Sequence, residues 1–283
     1  MPQKTIPPGI KYILLSTIFF QFMNVGVKML PHIPVIEIVF FRALVTLIVG
    51  YILISRAGIS HWGNNRKFLI ARGVAGTGAL ILYFFTLKFM PLASAVTIQY
   101  MSPIFTIIIA GIMLKEPPSK IQWLFFLVSF AGVIMLKGFD GRVTPFELAI
   151  GISSALCSGL AYNFIRKLKD TDHALVVVFY FPLVTVPIAG VYSTFNWVMP
   201  HGTDWLLLLM IGLGTTIAQI FMTKAYQLER ASNISNFNYL GSVYAIIIGY
   251  FMFGETLPPL AFAGIAVIVF GVVMSTRFRE SNR

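Results

Sequence analysis

The chain has 283 residues, of which 57% are hydrophobic and only 11% are charged, and its mean hydropathy is +0.83. A soluble domain of this length needs more charged residues to cover its surface, so the composition excludes a soluble globular protein. The net charge of +11 comes from basic residues that lie mainly between apolar runs rather than in one cluster, which argues against a nucleic-acid partner.

Ten nearly charge-free stretches follow one another along the chain, and a helix needs roughly 20 apolar residues to cross a bilayer. They cover residues 12–27, 43–55, 73–87, 89–114, 121–136, 148–165, 174–200, 205–223, 231–254 and 256–276. The second stretch reaches spanning length only if it begins near Pro34 and takes in Glu37 and Arg42. None alternates apolar and polar residues as a membrane β-strand does. The sequence therefore predicts an all-α integral membrane protein with ten transmembrane helices.

The basic residues are divided unevenly between the two sides of these spans. With the N-terminus in the cytoplasm, 16 Lys and Arg lie inside and 4 lie outside, and Arg42 within a span completes the 21. This count assigns Arg72 to the loop before the third span. Because cytoplasmic loops are enriched in basic residues, we expect a multi-pass inner-membrane protein with both termini in the cytoplasm.

The two halves of the chain are related in sequence. Residues 97–136 align without gaps to residues 236–275, with ten identities in 40 positions that include Tyr100 and Tyr239. Chance matching of apolar residues raises such a count, but a matched tyrosine is harder to obtain in that way. The alignment predicts an internal repeat.

We predict a first five-helix repeat over residues 9–137 and a second over residues 146–277. Five is an odd number, so the second copy enters the membrane upside down. Inverted repeats place a site near the midplane between the halves, which favours a carrier that works by alternating access. Channels also contain repeats, so the pattern does not prove transport by a carrier.

Several segments resemble the drug/metabolite transporter superfamily, and specifically its EamA-type carriers with ten helices. They are "EIVFFRAL" (37–44), "RGVAGTGALILYFFTLKFMPLASAVTIQYMSPIFT" (72–106), "GLGTTIAQIFMTKAYQLERAS" (212–232) and the loop motifs "LKEPP" and "FGETL". The resemblance covers nearly the whole chain. It implies a central cavity lined by helices of both halves. It also implies a small-molecule solute, such as an amino acid or a nucleoside-containing compound like S-adenosylmethionine.

Arg42 is the most informative single position, because a guanidinium inside a span needs a partner or an aqueous cavity. If it lines the cavity, it would hold an anionic group such as a carboxylate through bidentate hydrogen bonds. The alternative is a structural role, either an ion pair with Glu37 in the same helix or hydrogen bonds to helix-end carbonyls. In the second half, Tyr180 stands at the corresponding place.

Polar side chains recur at helical spacing in several spans, and a polar stripe in lipid must face protein or water. The stripes are Thr17, Gln21 and Asn24 in the first span, Gln99, Ser102 and Thr106 in the fourth, and Ser235, Asn238, Tyr239 and Ser242 in the ninth. Bonding between helices remains the alternative for each residue. The candidate solute-binding residues are Gln21, Asn24, Arg42, Tyr83, Gln99, Tyr100, Ser102, Ser158, Tyr162, Asn163, Tyr180, Gln219, Asn238 and Tyr239. The fifth and tenth spans are poor in polar residues and contain Gly132, Gly264 and Gly271, so we interpret them as scaffold.

No phosphate-binding loop, nucleophile elbow or metal-binding motif occurs in the sequence, and we expect no cofactor, metal site or catalytic residue. The predicted function is secondary transport of a small polar metabolite, with the solute and the lipid bilayer as partners. The alternatives are a membrane-embedded enzyme and a structural subunit without transport. Monomer and homodimer both remain open.

Overall fold

The computed structural model describes residues 7–89, 98–137, 144–253 and 259–278. Within these ranges the regular structure is entirely helical. The α-helices are α1 (Pro8–Lys28), α2 (Val35–Arg56), α3 (Arg66–Phe89), α4 (Ser102–Ile109), α5 (Lys120–Lys137), α6 (Pro145–Lys167), α7 (Ala174–Ser193), α8 (Asp204–Leu228), α9 (Ala231–Ile234), α10 (Leu240–Phe253) and α11 (Pro259–Arg277). A π-helical turn at Ala110–Leu114 follows α4, and a 3-10 helix at Ser235–Tyr239 joins α9 to α10.

Six of these helices, α1, α2, α3, α6, α7 and α8, are long and apolar enough to cross a membrane. Shorter apolar helices occupy Ser102–Leu114, Lys120–Met135 and Phe262–Met274. The all-helical membrane fold expected from the composition is therefore present in the described residues. The number of ten spans stays a prediction.

The fourth and ninth predicted spans are not continuous α-helices in the described residues. In the fourth, α4 begins at Ser102 with Pro103 in its first turn, where the missing proline N–H costs no hydrogen bond. In the ninth, the 3-10 turn Ser235–Tyr239 interrupts the α-helical period. The expectation of one α-helical stripe through Ser235, Asn238, Tyr239 and Ser242 was therefore wrong, since a 3-10 helix has three residues per turn.

Two compact units make up the chain. Unit 1 consists of Met1–Thr77 and Phe164–Leu228, and unit 2 consists of Gly78–Asn163 and Glu229–Arg283. Each unit thus takes segments from both predicted repeats. The five-helix repeat is therefore seen in the sequence, and its inverted symmetry in the structure stays a prediction.

In unit 1, α1 packs along α8, and α2 packs against α7 and α8. An apolar cluster of Leu30, Ile33, Ile38, Leu208 and Ile211 fills the space near the α1–α2 turn. Hydrogen bonds to Asp172 hold the α2–α3 loop of the same unit in place. The Asp172 carboxylate accepts hydrogen bonds from the backbone N–H groups of Asn64 (2.6 Å) and Asn65 (3.1 Å).

In unit 2, α5 packs closely along α11. A Cβ atom added at Gly132 would lie only 2.9 Å from the backbone oxygen of Gly264 and 2.8 Å from the side chain of Ile268. Any residue other than glycine at position 132 would therefore force the two helices apart. The small residues of the fifth and tenth predicted spans indicated this close approach.

Candidate functional site

Arg42 lies on α2 in unit 1 and is buried, with 7% of its surface exposed. Its Nη1 atom lies 3.5 Å from the Sδ atom of Met23 on α1. Within the described residues this is the one hydrogen-bond contact of the guanidinium group. A thioether sulfur is a weak acceptor and carries no negative charge. The structure thus places a cation inside a membrane helix without an anionic partner.

The Glu37 carboxylate does not supply that partner. Its Oε2 atom accepts a hydrogen bond from the backbone N–H of Val198 at 3.0 Å, and its buried Oε1 atom has no hydrogen-bond partner in the described residues. No ion pair joins Glu37 to Arg42, so the ion-pair alternative was wrong. The physical reason is the helical period, because two residues five positions apart point about 140° away from each other around the axis.

Arg72 is a second buried arginine of unit 1, and the sequence reasoning missed it. It lies within α3 and exposes only 2% of its surface, so its assignment to a loop was wrong. Its Nη2 atom donates to the Gln219 Oε1 atom at 3.2 Å. The Phe181 ring lies 4.9 Å from its Cζ atom. The four apolar residues after Lys67 were the available signal, because they show that the helix begins before Arg72.

The remaining candidates of unit 1 have mixed surroundings. The Asn24 Nδ2 atom donates to the Gln21 Oε1 atom at 3.1 Å, so these two α1 side chains lie together. Gln21 is buried, whereas Asn24 is exposed. The Tyr180 hydroxyl donates to the backbone oxygen of Trp62 at 2.8 Å. Tyr180 therefore ties α7 to the α2–α3 loop, and its neighbourhood differs from that of Arg42.

In unit 2, Gln99 and α6 form a neutral polar cluster. The Gln99 Nε2 atom donates to Ser158 Oγ at 3.0 Å, and the Ser154 Oγ atom lies 2.9 Å from Gln99 Oε1. Farther along α6, the Asn163 Nδ2 atom donates to the backbone oxygen of Thr106 at 2.8 Å. These side chains therefore bind one another and the backbone, and their contact with a solute stays a prediction.

The matched tyrosines of the repeat meet in unit 2. The ring centroids of Tyr100 and Tyr239 lie 6.1 Å apart with an angle of 52° between the planes. Tyr239 is fully buried, and Phe130 packs at 6.4 Å from its ring. The other candidates of this unit are Ser102, which is buried, and Tyr83, Tyr162 and Asn238, which are partly buried. The predicted residues thus form separate groups within each unit.

Comparison with known proteins gives the chain a family. The model of the EamA-like transporter family matches residues 7–137 and again residues 146–277. The pseudopaline exporter CntI of Pseudomonas aeruginosa (strain UCBPP-PA14) is 30% identical over 275 residues, which cover 96% of this chain and 97% of that protein. Human solute carrier family 35 member G1 is 31% identical over 267 residues, covering 87% of this chain and 73% of that protein.

A crystal structure with 15% sequence identity superposes with a TM-score of 0.86 and covers 95% of this chain and 96% of that chain. At this identity the likeness shows the fold alone. The family model, in contrast, matches both halves of the chain, and the relatives named above are transporters. The protein is therefore a transporter rather than an enzyme, and it belongs to the EamA-like transporter family of the drug/metabolite transporter superfamily.

Proposed function

We propose that the protein is a secondary carrier that moves a small polar metabolite across the inner membrane by alternating access. The observation that carries the proposal is the double match of one family model to residues 7–137 and 146–277. Two similar halves can exchange conformations and so open one site to either side. The chain also buries polar and charged side chains in helices long enough to cross a membrane, as a pathway for a polar solute requires.

The solute belongs to the class of amino acids or nucleoside-containing compounds such as S-adenosylmethionine. This class follows from the resemblance of the chain to its family. The direction is export, by likeness to the relative named as an exporter. The chain contains no phosphate-binding loop, so we infer that the gradient of a solute or ion drives the movement.

The test is solute flux into proteoliposomes that contain the purified protein. A thermal-shift screen against amino acids, nucleosides and polyamines selects the solutes, and protein-free liposomes are the control. A carrier gives saturable flux that accelerates when unlabelled solute is present on the opposite side. Flux that rises linearly with concentration indicates a channel, and no flux for any stabilising compound indicates a structural subunit.

The topology has its own test. We propose that both termini lie in the cytoplasm, on the basis of the 16-to-4 distribution of basic residues. Single cysteines are introduced at position 283 and at the α1–α2 turn in a Cys157→Ala background. We expect an impermeant maleimide to label the turn from outside and position 283 only after the membrane is opened. Labelling of position 283 from outside contradicts the topology.

A further inference from the structure

We propose that Arg42 is the anion-binding residue of the transport site, and that the transported solute therefore carries a carboxylate or a similar anionic oxygen group. The proposal rests on the proposed function, because it assigns a substrate class to a carrier. The feature that carries it is a buried guanidinium group with no anionic or oxygen partner in the described residues.

The surroundings of Arg42 leave its charge without compensation. Among the described residues, its one hydrogen-bond contact is the thioether of Met23, which packs against the apolar cluster of unit 1. One turn along α2, the Thr46 hydroxyl donates to the backbone oxygen of Arg42 at 2.9 Å and lies 2.9 Å from the Thr216 hydroxyl. The nearest polar group on the helix thus binds backbone and another hydroxyl, not the guanidinium.

The other buried arginines of unit 1 behave differently. Arg72 donates to the Gln219 side-chain oxygen and lies over the Phe181 ring. Arg166 donates to the backbone oxygen of Gln227 at 2.8 Å. Each of these two guanidinium groups has an oxygen acceptor from the protein. The same unit therefore supplies at least one oxygen acceptor to each of two buried arginines, and its described residues supply none to the third, Arg42.

The position and shape of Arg42 suit a carboxylate. It is the eighth residue of α2, so it lies roughly 10 Å along the axis from the start of the helix. This depth is inside the hydrocarbon core, where an unpaired charge is costly. The planar guanidinium fork matches the two oxygens of a carboxylate. A neutral solute offers no charge to offset it, so the geometry selects anionic groups.

The experiment measures the melting temperature, Tm, of the purified protein in nanodiscs of phosphatidylcholine. The probes are sodium acetate, succinate, L-glutamate and inorganic phosphate, each compared with sodium chloride at equal ionic strength and with acetamide as a neutral analogue. We expect at least one of the anions to raise the wild-type Tm by roughly 2–4 °C at ten times its dissociation constant. Acetamide should leave the Tm unchanged.

The variants separate ligand binding from a structural role. In Arg42→Gln the anion-dependent rise should disappear, and the Tm without added anion should equal or exceed that of wild type, because an uncompensated buried charge is gone. In Arg42→Lys the apparent anion affinity should fall about ten-fold, since the charge stays but the fork is lost. This second variant keeps the test valid if Arg42→Gln does not fold.

The matched control is Arg72→Lys, at a buried arginine that already has an oxygen acceptor in Gln219. It should lower the Tm in the absence of anion, because it disturbs the bond to Gln219, and keep the anion-dependent rise. A second control, Met23→Leu, preserves volume and removes the sulfur. It should leave the anion affinity within two-fold of wild type.

Three results would overturn the proposal. The first is that none of the four anions raises the wild-type Tm, and the second is that the rise persists in Arg42→Gln. The third uses nanodiscs that contain phosphatidylglycerol. If this lipid stabilises the protein through Arg42 while soluble anions do not, the acceptor is a lipid headgroup and not a solute.

The outcome is distinguishable from that of the proposed function. If proteoliposomes transport neutral or cationic solutes only, the carrier proposal stands and the anionic class fails. If soluble anions bind through Arg42 but no solute is transported, the binding site stands and the carrier proposal fails.

Discussion

Unit 1 and unit 2 solve the problem of packing helices in a membrane in different ways. The described part of unit 1 buries six charged residues, and Arg42, Arg72 and Glu37 are three of them, whereas the described part of unit 2 buries one, Glu229. Unit 1 is held by directed bonds to charged groups, such as those of Arg72 with Gln219. Unit 2 joins helices by close contact of backbones through glycine, as at Gly132, and unit 1 does so too at Gly73, so the buried charges are what separates the two units.

The difference teaches where each unit tolerates change. A unit held by directed polar bonds fails when one partner of a charge is removed, because the remaining charge stays buried. A close backbone contact through glycine, in either unit, fails when volume is added. The substitutions below test this contrast in detergent or nanodiscs, from the largest expected effect to the smallest.

The largest effect is expected for Gly132→Leu in unit 2. A Cβ atom alone would lie 2.9 Å from the Gly264 oxygen, and the rest of the leucine would separate α5 from α11. We expect a loss of about 3 kcal/mol or more in the free energy of unfolding, since this exceeds ordinary overpacking. Thermal unfolding and size-exclusion chromatography measure it. The matched control is Gly78→Leu, because a Cβ atom there meets nothing within 4 Å. Equal losses at both glycines would contradict the close-packing account.

The next effect concerns the directed bonds of unit 1. Gln219→Leu removes an acceptor from the buried Arg72 guanidinium, and hydrogen bonds to charged groups are worth about 1.5–3 kcal/mol. We expect a loss of this size in the free energy of unfolding. The variant Arg72→Met removes the charge itself, so Gln219→Leu should cost less in that background. Additive losses in this double-mutant cycle would show that the two side chains are not coupled.

A smaller effect is expected for the neutral polar cluster of unit 2. The buried Ser154 hydroxyl lies 2.8 Å from the backbone oxygen of Ala79 and 2.9 Å from Gln99 Oε1. Ser154→Ala should cost about 1 kcal/mol, in line with hydrogen bonds between membrane helices. The adjacent Ser153 is exposed and binds the Ala149 oxygen of its own helix, so Ser153→Ala should be neutral. The idea fails if the two serines respond alike in thermal unfolding.

The smallest effect on stability is expected for the partly exposed pair of His32 and Asp204 in unit 1. The His32 Nε2 atom lies 2.9 Å from Asp204 Oδ2, and about half of the histidine side chain is exposed. Solvent and salt weaken such pairs. We expect His32→Gln to leave the Tm unchanged within error. A clear decrease that vanishes at high salt would show that the pair stabilises the α1–α2 turn after all.

The candidate site was predictable only in part. Arg42 could be identified from sequence because a charge stands out within an apolar stretch. The absence of an ion pair between Arg42 and Glu37 in the described residues could not be predicted from sequence. The Glu37 carboxylate instead accepts a hydrogen bond from the backbone N–H of Val198, in a loop distant along the chain. Arg72 escaped detection because the apolar run before it is only four residues long. Its acceptor Gln219 lies 147 positions away in the chain.

By itself, the sequence determined the class of protein and its helical character. A chain with 11% charged residues and a succession of apolar runs must place such runs in lipid, where helices satisfy their own backbone groups. The sequence also contains segments that resemble the EamA-type carriers. These segments are spread over nearly the whole chain, so they pointed to the family before the structure was considered.

The tertiary structure alone decided which segments form each compact unit, and so which charges find partners. Local patterns report period and hydropathy, which belong to single helices. The contact of Arg42 with Met23 joins consecutive helices, and those of Arg72 with Gln219 and of Gly132 with Gly264 join helices that are distant in sequence. Such contacts depend on packing between helices, which no local pattern encodes, and they decide that Arg42 alone among the buried arginines of unit 1 lacks an oxygen acceptor in the described residues.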